Sequence, residues 1–263
     1  MSAVAALPAA WLAALHAHAE QPPERPRVPL LWRGIEIGSV EPSLAEGVPC
    51  PAWQREASAV RLQGEDLSRS LETVALRLRE AGQVPAWRNE LLAVRDAQGA
   101  VLGQVERGVV RLLGIATHAV HLVGQTPDGR HWVQQRSLTK ANDPGLWDTL
   151  MGGMVPARDT LQEALARETW EEAGLHLQQL ERLEHGGQVR TRRPSRQGRG
   201  GYIVEVIDWY RCVVPQGVEP RNQDGEVDQF LCLLPGELAE ALVAGDFTVE
   251  ASLVYAAAGL NGR

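Results

Sequence analysis

Three glutamates, Glu168, Glu171 and Glu172, fall within five residues in the stretch GGMVPARDTLQEALARETWEEAGL, residues 152–175. Carboxylates at helical spacing repel one another by about 0.2–0.5 kcal/mol per pair. Such crowding calls either for open solvent and nearby arginines or for a cation. At 100° per residue on a helix, Glu168 and Glu172 lie one turn apart with Glu171 between them, so the three carboxylates can converge. Arg167 falls on the far side of that arc, badly placed to neutralise all three. Leu161, Leu165, Ala166, Thr169, Trp170 and Ala173 cover the adjoining arc and are expected to form the core face. A solvated acidic face would explain the charges but not the flanks, which are Gly152-Gly153 before the helix and Ala173-Gly174-Leu175 after it. Glycine lets a backbone carbonyl approach a bound ion. Carboxylates and a carbonyl, with waters retained, suit Mg²⁺ (or Mn²⁺ in its place), which commonly shares its shell with substrate phosphates. These residues point towards diphosphate chemistry.

The elements that must position them can be read from periodicity and turn residues. An extended segment over 146–151 runs into the glycine pair, and a helix over about 160–172 is closed by Gly174. Segments 115–123 and 132–136 form a hairpin around the turn 126–129. Segments 189–193 and 202–214 form a second. A strand lies within 225–234, and helices over 235–244 and 249–258 follow. Before them, a helix over 3–19 ends at Pro22-Pro23, and a strand over 30–40 bends at Gly34. A short strand lies near 59–62. The helix over 66–81 carries apolar residues at 67, 71, 74, 75 and 78, with Asp66 as cap and Gly82 as stop. Strands 90–94 and 100–106 are joined by the turn 96–99. The expected division is a small α+β domain over 1–112, without a catalytic constellation, and a second domain over 113–263 that carries the site.

Composition narrows the class. The chain has 263 residues, 44% of them hydrophobic, enough for a substantial core. Residues 1–112 hold 12 basic and 13 acidic side chains and 113–263 hold 14 and 20, so most of the net charge of −7 comes from the second part. No broad basic surface is evident, so no nucleic-acid partner is expected. Cys50, Cys212 and Cys232 are odd in number and widely spaced, as befits reduced thiols. No Lys or Arg precedes Arg25, which argues against a signal peptide. No apolar run is long enough to span a bilayer. A soluble cytoplasmic protein is expected, monomer or homodimer, with a small-molecule diphosphate as its partner.

Gly153, Asp159 and then Arg167-Glu168-Thr169-Trp170-Glu171-Glu172-Ala173-Gly174-Leu175 resemble the Nudix box. The resemblance implies an α/β/α sandwich around a mixed sheet, with the box as loop–helix–loop. It further implies Glu168 and Glu172 as direct metal ligands, Glu171 as a ligand through water or to a second ion, and the carbonyl of Gly152 or Gly153 completing the shell. Family members often add an acid from a later loop. Glu226 is the candidate, with Asp228 behind it, although the same residues also read as a turn before a strand. Either Glu168 or Glu226 would accept a proton from the attacking water. In the family an acid at the position of Asp159 pairs with the box arginine, here Arg167. Asp is shorter than the usual Glu, and Glu163 is a substitute partner. Thr169 stands where the family has a bulky aliphatic residue.

Arg190, Arg192, Arg193, Arg196 and Arg199 crowd one loop and could grip phosphate oxygens; a solvated hairpin tip is the plainer reading. Trp147 and Trp132 could stack on a substrate ring or simply pack. His118 and His121 share no metal spacing with the acids and read as structural. The order of parts also resembles one Nudix subfamily with an N-terminal α+β domain, fused in fungi to thiamine diphosphokinase. That likeness rests on residues 84–90, Leu113-Gly114-Ile115, Gln135-Arg136-Ser137-Leu138-Thr139-Lys140 and Pro144-Gly145-Leu146-Trp147-Asp148. It implies removal of phosphate from thiamine diphosphate, particularly its oxidised forms. Other readings are a Nudix hydrolase acting on ADP-ribose or oxidised nucleotides, a non-catalytic ligand sensor, and an isoprenoid-diphosphate isomerase. The last would want a cysteine near the sheet centre.

Overall fold

The computed structural model describes residues 6–195 and 200–260. Its first part runs α1 (Ala9–Ala19), β1 (Val28–Trp32), β2 (Ile35–Val40), α2 (Pro42–Gly47), β3 (Trp53–Arg55), β4 (Val60–Leu62), α3 (Leu67–Glu80), β5 (Leu91–Arg95) and β6 (Val101–Glu106). β1–β4 form a sheet of order β2-β1-β4-β3, and β5 and β6 pair as a separate ribbon. All five apolar positions predicted for α3 are buried, and Asp66 caps it by accepting from the Arg69 amide at 3.0 Å. The expected bent strand over 30–40 is instead the hairpin β1–β2. Arg33 and Gly34 both take left-handed φ, 49° and 83°, which reverses the chain and lets the arms pair antiparallel. The first helix begins only at Ala9, directly after Pro8.

The second part runs β7 (Thr117–Gln125), β8 (His131–Arg136), β9 (Trp147–Asp148), β10 (Met151–Met154), α4 (Leu161–Ala173), β11 (Glu181–Pro194), β12 (Tyr202–Val213), β13 (Val227–Leu233), α5 (Pro235–Ala244) and α6 (Val249–Ala258). The sheet order is β11-β12-β7-β8-β13, mixed because β12 and β7 are parallel. Alternation along β7 divides its side chains between two cores. Val120 and Leu122 pack with Leu165 of α4, whereas Ala119 and Val123 pack with Val254 and Tyr255 of α6. The result is an α/β/α sandwich.

The sheet splits where chemistry is expected. β7 and β8 pair only at Gly124–Gln125 and His131–Trp132. Beyond that point β10 takes the flank of β7, and β9 takes the flank of β8. Gly152 and Gly153 therefore lie inside β10, opposite His121 and Val120, rather than after a strand.

The two parts touch at both ends. α1 packs on α6 and β11, with Leu15, Ala19 and Leu253 buried together and Thr191 Oγ1 donating to the Ala19 carbonyl at 2.9 Å. The Ala157 amide donates to the Leu91 carbonyl at 2.7 Å, joining β5 to the loop after β10.

Candidate active site

Helix α4 is fixed at both ends. Thr160 and Glu163 form a capping box, and Gly174, with φ 63°, closes the last turn. Its buried arc is Ala164, Leu165, Thr169, Glu172 and Ala173. The core face is thus rotated from the expected one. Trp170 is exposed and stacks on His176 with centroids 4.4 Å apart, and Ala166 is exposed. Glu172 sits within the apolar arc and is only 1% exposed.

Such a buried carboxylate needs partners, and Glu172 has three. Oε2 accepts from Gln134 Nε2 at 2.7 Å and from the Gly152 amide at 3.0 Å, while Lys140 Nζ lies 3.3 Å from Oε1. Burial pushes this carboxyl upward, and Lys140 and the two amides work against that shift. Glu168 lies against β10, where a Cβ on Gly153 would come 2.5 Å from its Oε2. Burial first, and Glu172 second, push Glu168 up to about 7, opposed by Arg167.

Arg167 reaches further than its angular position suggested. Its Nη1 donates to Glu168 at 3.0 Å and to Glu171 at 2.8 Å, and its Nε donates to Asp159 at 2.9 Å. A long side chain crosses the arc that its Cα does not. The shorter Asp159 closes the pair with Arg167, and Glu163 is engaged in the helix cap. Across the cleft, Lys140 also pairs with Glu226. Burial opposes the charge on Glu226, but Lys140 holds its carboxyl below the usual range. Asp228 faces elsewhere and accepts from the Leu138 amide at 3.3 Å.

The three glutamates consequently do not converge. Glu168 and Glu171 turn to Arg167, and Glu172 turns to Lys140 and the Gly152 amide. Among the described residues no three acid, His or Cys side chains form a ready metal cage. The two glycines also serve the chain's own side chains. A Cβ on Gly152 would lie 2.7 Å from His121 Cε1, and one on Gly153 would strike Glu168.

A cavity of about 620 Å³ opens in the sheet split and is lined by Glu168, Glu171, Glu172, Arg167, Gly152, Gly153, Lys140 and Glu226. Arg190, Arg192 and Trp147 do not line it. Strand alternation turns Arg190 and Arg192 outward, the first onto Gln188 and the second towards Glu20, while Arg193 turns inward and donates to Glu250 at 2.7 Å. Arg196 and Arg199 lie outside the described residues. Trp147 packs against the α5–α6 core and bridges to Phe247, and Trp132 packs on the α4 side.

Several lining residues had no local signature. Glu90, Arg107 and Arg111 come from the first part of the chain and form one wall. Glu205 and Glu250 lie at the wall formed by β12 and α6. His121 belongs to the cavity too, with Nδ1 3.0 Å from Thr149 Oγ1 and 3.4 Å from Asp148 Oδ1. Strand alternation could have singled out Arg193; nothing local marks Glu205.

Residues 116–251 match the model of the NUDIX domain. The chain is 31% identical over 182 residues to Nudix hydrolase 24, chloroplastic, of Arabidopsis thaliana, covering 68% of this chain and 49% of that protein. It is 31% identical over 189 residues to Nudix hydrolase 20, chloroplastic, of the same plant, covering 70% and 49%. The chain thus spans about half the length of these curated relatives. A crystal structure from Deinococcus radiodurans aligns with 21% identity and a TM-score of 0.46, covering 60% of this chain and 92% of that one. Among the described residues no helix is long and apolar enough to cross a membrane.

Proposed function

This chain belongs to the Nudix family, and from that premise we propose that it hydrolyses the diphosphate linkage of a small organic or nucleoside diphosphate with Mg²⁺. The observation that carries the reading is the set of box acids, Glu168, Glu171 and Glu172, beside Gly152-Gly153 at one cavity that also presents Arg136 and Lys140.

The residues fit a hard divalent ion. The donors are carboxylate oxygens, and the Gln134 amide oxygen beside Glu172 is buried with no partner. The acids are balanced in part by two side-chain cations, Arg167 and Lys140. Glu168, Glu171, Glu172 and Glu226 would hold the ion, with a carbonyl of Gly152 or Gly153. Such an ion supplies charge stabilisation at the phosphate oxygens. The chain supplies the rest. Arg136 and Lys140 orient the diphosphate, Glu168 or Glu226 takes the proton from water, and Arg167 with Asp159 holds the loop before α4.

The order of parts supports thiamine diphosphate or its oxidised forms as the substrate within this class. Isomerase chemistry is disfavoured, since among the described residues no cysteine lines the cavity. Cys212 is buried elsewhere, with its thiol pushed up to about 12 by burial. A sensor role is disfavoured by the intact glutamates.

The test is phosphate or monophosphate release from thiamine diphosphate, its oxidised analogues, ADP-ribose, dinucleoside polyphosphates and oxidised nucleotides, with Mg²⁺ and with chelator. Turnover of at least one compound, lost with chelator, is expected. Tight binding of one compound without turnover of any would replace hydrolase with sensor.

A further inference from the structure

The box acids occupy only part of the cavity. Away from them it is lined by Glu205 on β12, Glu250 on α6, Arg111 and Arg193. Apart from the His121 imidazole, no aromatic ring lines it among the described residues. A ligand there would meet mostly charged and polar side chains, with Ala119 and Ile203 among the apolar ones.

Arg193 donates to Glu250 at 2.7 Å, and Arg111 donates to Asn142 at 2.9 Å. Glu205 differs. It is 8% exposed, and among the described residues its carboxyl has one hydrogen-bond partner, Thr117 Oγ1 at 3.0 Å from Oε1, and no ion pair. Among the described residues no donor reaches Oε2, yet it is not sealed from the cavity as the buried, unpartnered polar atoms are. Its location is set by the fold, since Glu205 pairs in register with Thr117 on the parallel strand β7. A carboxylate in such a place costs free energy unless a donor reaches it. In accord, burial and then Glu250 push its carboxyl upward, with Arg111 only partly offsetting them.

We propose that this end of the cavity is the subsite for the organic half of the substrate, and that Glu205 Oε2 accepts a hydrogen bond from an N–H or O–H group on it. The proposal rests on the diphosphate reading for the other half of the ligand. It selects amino- or hydroxyl-bearing organic groups over purely hydrocarbon ones. A site built to satisfy a buried polar group rejects ligands that leave it unpaired far more strongly than an apolar pocket rejects a misfit.

The experiment compares wild type with Glu205→Gln and Glu205→Ala, each checked for folding by circular dichroism. Binding is measured by calorimetry with Ca²⁺ in place of Mg²⁺. The probes are thiamine diphosphate and ADP-ribose, which carry N–H or O–H donors, and isopentenyl diphosphate, which carries none on its organic half. Wild type is expected to prefer at least one donor-bearing probe over isopentenyl diphosphate. Glu205→Ala is expected to lower that preference by about 10- to 100-fold, Glu205→Gln, which keeps a neutral amide oxygen as acceptor, by less, and with a turned-over probe the loss should fall in KM rather than kcat. The proposal is overturned if wild type shows no preference, or if the variants weaken all probes equally or leave the preference intact. Binding selectivity that depends on Glu205, without hydrolysis of any probe, would sink the hydrolase reading and leave this one standing.

Discussion

Gly153→Ala separates what the glycine does for the fold from what it does for the site. The backbone at Gly153 tolerates alanine, since it lies in strand β10 without positive φ. A new Cβ would stand 2.5 Å from Glu168 Oε2 and 2.6 Å from its Cγ, far inside contact distance. Glu168 must therefore leave its position. The obstacle is the flexible end of a side chain, so the stability cost is small. An altered rotamer costs about 0.5–1.5 kcal/mol. Release of the carboxyl from a buried site that disfavours its charge offsets part of this. The expected net loss is about 1 kcal/mol or less, a fall in Tm of at most about 4 °C for a chain of this size. Turnover should fall by about 100-fold or more, the scale on which a positioned acid–base group acts.

Gly186→Ala is the control. Its Cβ would fall within the indole of Trp209, a rigid ring that is 5% exposed. Overpacking of that kind costs about 1–3 kcal/mol, with less effect on turnover than on stability, since neither Gly186 nor Trp209 lines the cavity. Thermal melts and phosphate release on both variants decide the matter. A Gly153→Ala protein with wild-type turnover, or one destabilised as much as Gly186→Ala with no selective loss of activity, would refute the reasoning.

Lys140→Ala removes the cation shared by Glu172 and Glu226. Without added metal it should lower stability by about 1–3 kcal/mol, because Glu172 is left buried with one donor fewer, and Mg²⁺ should restore more Tm to the variant than to wild type. An equal Mg²⁺ response in both would argue that Lys140 and the ion do not share the acids. His131 is fully buried, with Nε2 3.0 Å from the Leu260 carbonyl, and burial lowers its pKa. The unfolded chain then binds the extra proton first, so this group's contribution to stability should be constant above about pH 6.5 and fall as pH drops below it, by at most about 1.4 kcal/mol per unit, against the opposite slope of Glu168, whose carboxyl is raised to about 7. Melts from pH 7.5 to 5.5 should show that slope reduced in His131→Gln, and an unchanged slope would remove His131 as its source.

Much of the local architecture was legible because it depends on neighbours in sequence. Helix α3 and its Asp66 cap, the limits of α4 between Thr160 and Gly174, helices α5 and α6 and the β11–β12 hairpin follow from periodicity and end signals. So does the box itself, whose spacing identifies the family. What went astray depended on partners distant in the chain. The 30–40 segment alternates like one strand, yet Arg33 and Gly34 fold it back on itself. Angular position on α4 put Glu172 beside the core. Packing against the split sheet put it inside, where Gln134, Lys140 and the Gly152 amide hold it. The clustered arginines looked alike in one dimension, but alternation sends Arg192 to solvent and Arg193 to Glu250.

Residue order alone determined that a helix would carry three acids beside two glycines, since capping, periodicity and spacing are short-range properties. Tertiary structure decided which cations meet those acids, which strand gap they face and which remote residues, Arg111, Glu205 and Glu250 among them, share their cavity. Those contacts join segments tens of residues apart, and burial, which sets the cost of every charge in the cavity, exists only once they are packed together.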